Sequence, residues 1–174
     1  MLLKTICVEK IEAAKRQLET AIILWFEDSD QISVHTLACA AYQIVHDINK
    51  NSKGKELLLD SSLIKDEFRK EYKGEMRKAM NFFKHADSDP DPHGKVEFAN
   101  DITDLFILYS IIGIERFGER CSKLSVAFLM FYAIKNPNLI TKEFNGRFNT
   151  EIFANLPLIS KSEFMKQFLL SQRQ

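Results

Sequence analysis

The segment "RKAMNFFKHADSDPDP", Arg77 to Pro92, gathers the side chains in this chain best suited to chemistry. At roughly 100° per residue, Met76, Ala79, Met80 and Phe83 share one helical face, and Arg77, Asn81, Lys84 and His85 fall on the other. Arg and Lys hold phosphate oxygens. Histidine titrates near neutral pH and can move a proton, and an amide nearby can orient the ring or a ligand hydroxyl. These are the parts that metal-independent RNA cleavage uses: an acid or base at the 2′-hydroxyl and cations on the phosphate. The same residues have a plainer use. Lys84 and His85 at a helix C-terminus interact favourably with the macrodipole, by about 0.3–1 kcal/mol, and Asp87, Asp89 and Asp91 suit turns held by side-chain hydrogen bonds.

Metal binding is the third possibility for this stretch. "HADSDPDPH" places carboxylates at Asp87, Asp89 and Asp91 between His85 and His93. A calcium loop needs glycine at its sixth position and glutamate at its twelfth, where this chain has Pro92 and Phe98. Nothing in the spacing fixes a transition-metal geometry, so no metal or cofactor is expected.

A second polar stripe lies earlier. His35, Cys39, Tyr42 and His46 fall within about 60° of one another on a helix, opposite a face carrying Leu37, Ala41 and Ile44. A helix with two such faces sits centrally in a bundle or at a subunit contact. The other reading is a pocket in which Tyr42 or His46 meets the Asn81–His85 stripe. His35 and His46 stand ~16 Å apart along the axis, too far to share a metal ion. Asp47 points to a different face and is not expected to partner His46.

The elements that must position these groups read almost entirely at helical period. Ile11, Ala14, Leu18, Ala21, Ile22 and Trp25 predict a helix over residues 4–26, and "EDSD" offers caps for a second over 32–49. Residues 60–70 read as a short charged helix or connector. A helix follows over 71–86 and is stopped by the Asp/Pro segment. Two apolar helices over 100–117 and 122–135 are capped by Asn100 or Asp101 and by Ser122. "SKSE" opens a last helix, about 160–172, that carries Phe164, Phe168 and Leu169. Residues 139–159 show no clear pattern. The expected fold is an all-α, single-domain helical bundle of about six or seven helices spanning 1–174.

Composition sets the outer bounds. The chain has 174 residues, 45% apolar and 28% charged, with Lys+Arg and Asp+Glu equal at 24 each. A balanced charge excludes a broadly basic nucleic-acid surface and leaves room for a local patch. Fourteen Phe against one Trp and four Tyr imply a core of aromatic rings. Three scattered cysteines, without a CxxC pair, fit a reducing cytoplasm. "MLLKTICVEKIEAAKR" does not read as a secretory signal. The apolar runs "LFILYSIIGI" and "LSVAFLMFYAI" fall short of the ~20 residues that span a bilayer.

The stretch "AAKRQLETAIILWFEDSDQISVHTLACAAYQIVHDI", followed by "NFFKHAD", resembles HEPN-type helical domains over about residues 10–90. It also resembles a group of bacterial proteins carrying the same "NFFKHAD" string. The resemblance implies an all-α core, placed here over about 10–135, that commonly dimerises and belongs to toxin–antitoxin and phage-defence systems. Many such domains act as metal-independent RNases through an arginine, a polar residue, three variable positions and a histidine. On this chain the polar residue matches Asn81 and the histidine His85, but the arginine position falls on Met80. Members without the motif are usually read as binding or dimerisation modules. The resemblance therefore implies a cytoplasmic, membrane-free homodimer that binds RNA or nucleotide with weak or lost RNase activity. His85 would be the acid/base, Asn81 its orienting partner, and Arg77 and Lys84 the phosphate-holding cations. The alternative is a non-catalytic dimerisation or protein-interaction module.

Overall fold

Most of the predicted apolar positions face inward on helices. The computed structural model describes residues 4–61, 64–86, 90–138 and 159–171. Among these are six α-helices and no strand: α1 (Lys10–Phe26), α2 (Gln31–Asn51), α3 (Asp66–Lys84), α4 (Asn100–Arg116), α5 (Lys123–Lys135) and α6 (Lys161–Ser171), with a 3-10 turn at Leu58–Asp60. The protein is an all-α helical bundle. No helix among the described residues is long and apolar enough to cross a membrane.

Helix α2 is the central element and packs chiefly against α1 and α4. Its contact with α4 is close because Gly113 lies there: a Cβ at that position would overlap Val45 Cγ1. Trp25, Phe26, Phe106, Phe128, Phe131 and Phe164 are all buried, giving the aromatic core that the composition implied. The Trp25 ring meets Phe26, Phe128 and Phe131 edge-on at 4.9–5.6 Å, within the preferred range for aromatic pairs. Phe164 and Phe168 dock α6 onto this cluster, whereas Leu169 is exposed.

Several helix ends differ from expectation. Helix α1 begins at Lys10 rather than residue 4, because residues 4–9 are exposed and have no core to pack against. Helix α3 begins five residues before Glu71, where Asp66 and Glu67 complement the macrodipole. It ends at Lys84, with His85 already extended. At the start of α4, Ala99 is the N-cap and supplies no side-chain bond; Asn100 is already helical. The other caps form as predicted. Asp30 accepts from the Ser33 N–H at 2.8 Å, Ser122 Oγ from the Ser125 N–H at 3.2 Å, and Ser160 Oγ from the Glu163 N–H at 3.2 Å.

Candidate functional site

Helix α3 lies over α2 with Met76, Ala79 and Met80 buried beneath it. Its amphipathic spacing therefore decides which polar groups face outward. Asn81, Lys84 and His85 are exposed at its C-terminal end. The His85 N–H donates to the Asn81 carbonyl at 3.0 Å, but its φ of −134° and ψ of 134° take the residue off the helical path. His85 therefore does not continue the stripe at helical spacing. Asp87 and Asp89 lie outside the described residues. Asp91 holds a turn by accepting from the His93 N–H at 2.9 Å.

Arg77 is placed apart from this group. It is half-buried, its Nη2 lies 3.5 Å from Gln43 Oε1 on α2, and its buried Nε has no hydrogen-bond partner among the described residues. Its charge acts on Asp47 and Tyr42. Met80, at the position of the family's arginine, is 9% exposed and faces the core.

The expected pocket between the two stripes is replaced by a packed network. The "LLL" run at Leu57–Leu59 is buried, and it brings the 3-10 turn back against α2. Arg116 ties down the approach by donating to the Lys55 and Glu56 carbonyls at 2.8 and 3.2 Å. Asp60 Oδ2 thereby meets His46 Nε2, and Lys73 Nζ donates to Asp60 Oδ1 at 2.7 Å. On the other side of the ring, His46 Nδ1 lies 3.2 Å from Asp47 Oδ1. Asp47 is thus a partner of His46, contrary to the expectation from the helical wheel. Gln43, one turn earlier, donates to Asp47 Oδ1 at 2.9 Å and draws the carboxylate along the helix. Hydrogen bonding from Gln43 is the main cause that holds the Asp47 carboxyl below its ordinary value. Burial pushes the Asp60 carboxyl up, but Lys73 and His46 together outweigh it and leave the group below its ordinary value. Tyr42 accepts from the Leu59 N–H at 3.0 Å, and burial pushes its phenol up. Tyr42 and His46 thus fasten the 57–60 turn to α2.

His35 and Cys39 are closed off. His35 is fully buried, with Nδ1 2.8 Å from Thr103 Oγ1 and Nε2 3.3 Å from Cys39 Sγ. Phe83, Phe98 and Phe106 surround the ring. Burial brings His35 down to about 4 and Cys39 up to about 12. The second face of α2, which suggested a subunit contact, is therefore covered within the same chain. Among the described residues, no group of three or more His, Cys, Asp or Glu stands close enough to hold a metal ion.

The sequence reading missed Asp60, Lys73 and Gln43. The three leucines before Asp60 were the available signal, since such a run between charged segments must bury somewhere and carries the next residue with it. Compared with protein-family models, curated proteins and solved structures, the chain matches none.

Proposed function

We propose that this chain is a HEPN-like helical domain that binds single-stranded RNA or a nucleotide at the C-terminal end of α3 without cleaving it. One observation carries the reading: Met80 points into the core where the family's arginine would stand, while Asn81, Lys84 and His85 beside it are exposed. Cleavage needs a cation fixed on the phosphate as well as an acid or base near the 2′-hydroxyl. Arg77, the nearest arginine, is drawn toward Gln43 on α2. What remains suits recognition. Lys84 offers a point charge to phosphate. Asn81 offers two amide donors and a carbonyl acceptor. The His85 imidazole can stack on an unpaired base, as aromatic side chains do in single-stranded RNA recognition.

The test is a titration of a labelled, single-stranded RNA followed by fluorescence anisotropy at several salt concentrations, with the RNA afterwards run on a denaturing gel. Binding is expected to weaken with salt, and Lys84→Ala is expected to lower the log–log salt slope by about one. The RNA should emerge intact. Cleavage abolished by His85→Ala would overturn the non-cleaving reading. Affinity and salt slope unchanged in both Lys84→Ala and His85→Ala would remove the site, and the interaction-module reading would then stand.

A further inference from the structure

The end of α1, the start of α4, the end of α5 and the entry to α6 line an open cavity of about 400 Å³, a size typical of small-molecule sites. We infer that this cavity is a binding site for a small organic cation, an alkylammonium, held between the aromatic wall of Trp25, Phe131 and Tyr132 and the carboxylates of Asp101 and Asp104. The inference is independent of the RNA-binding proposal.

The chain's own Lys161 illustrates the chemistry. Its Nζ stands 4.1 Å from the centroid of the Trp25 ring and 3.0 Å from Asp28 Oδ1. An ammonium group over an indole face with a carboxylate beside it is the arrangement by which aromatic sites recognise alkylammonium ligands. The remaining space is also negative. Asp28, Asp101 and Asp104 line the cavity against Lys135 and Lys161. Lys161 is already neutralised by Asp28, and Lys135 lies over the Phe131 ring at 5.3 Å. Among the described residues, by contrast, the hydrogen-bond donor to Asp104 is the uncharged Trp25 indole N–H, 2.7 Å from Oδ1. A carboxylate withdrawn from water beside a neutral donor gains from an arriving cation. A metal ion fits less well, because among the described residues the carboxylates do not converge with the closeness a metal demands.

Trp25 is the single tryptophan of the chain, so its emission reports directly on the site. The experiment titrates the full chain with tetramethylammonium chloride, using sodium chloride for ionic strength and sodium acetate as the anionic control. A saturable change in emission is expected with tetramethylammonium alone. Asp104→Asn keeps an oxygen for the indole and removes the charge, and should weaken binding by about tenfold. Lys161→Gln should tighten it, because the native ammonium no longer occupies the Trp25 face. Circular dichroism establishes that each variant is folded, and if Asp104→Asn is not, the sign of the Lys161→Gln effect decides. No saturation beyond the sodium chloride response, equal affinity in folded Asp104→Asn, weaker binding in Lys161→Gln, or saturation by acetate would each overturn the assignment.

Discussion

Burial acts in opposite senses on half-buried Asp104 and on His35, which is enclosed in the core. It pushes Asp104 up to about 6 and His35 down to about 4. For Asp104, the folded protein holds its proton more tightly than the unfolded chain, so stability falls as pH rises from about 4 through 6, and the full cost is present at neutral pH. The groups acting on it are Trp25 from α1, Asp101 on its own helix and Lys161 from α6, whose pull downward is too weak to cancel burial. Asp104→Asn should therefore raise the unfolding free energy at pH 7 by up to about 3 kcal/mol and leave it unchanged near pH 3, as denaturant titrations at both pH values would establish. A variant no more stable than the parent at pH 7 would contradict this. For His35 the unfolded chain takes the proton first, so stability falls as pH drops from about 6.5 toward 4. At this scale the exposed groups were legible and the buried partnerships were not. Periodicity identified the outward face of Asn81 and Lys84. It could not anticipate that Gln43 would draw Asp47 back to His46, because that depends on side-chain reach rather than on the direction of Cβ.

Helix α2 shows what local pattern can and cannot specify at the scale of the element. Its apolar spacing was sufficient to predict a helix over most of its length, but Val34, His35, Cys39 and Tyr42 are buried as deeply as Ala38 and Ala41, because α1, α3 and α4 all pack against it. The contact with α4 is set by Gly113. Gly113→Ala should gain slightly in helix propensity and lose more by forcing Val45 aside, for a net destabilisation of about 1–3 kcal/mol. A lower urea midpoint with an unchanged m-value would support this, and an unchanged or higher midpoint would contradict it. The first turns of α3 read as a short charged helix or connector apart from the helix over 71–86, for a physical reason. Phe68 is exposed and Tyr72 only half-buried, so no apolar stripe marks them. Acidic residues at the N-terminus and the Arg69–Asp66 pair at 2.8 Å accompany those turns instead.

At the scale of the whole molecule, the all-α architecture was legible because most long segments repeat at helical period. The polar network was not, because it depends on residues 57–60 returning across the chain to α2. The same return accounts for Tyr42 and His46 being structural anchors rather than an open pocket, while Asn81, Lys84 and His85 stay exposed at the end of α3. The most direct measurement is an amide NMR spectrum of the full chain recorded with increasing single-stranded RNA. Progressive shifts concentrated at Asn81 to Ala86, requiring more RNA in Lys84→Ala with the rest of the spectrum preserved, are the predicted result. Shifts confined to another face, or none at an RNA concentration where anisotropy reports binding, would contradict it.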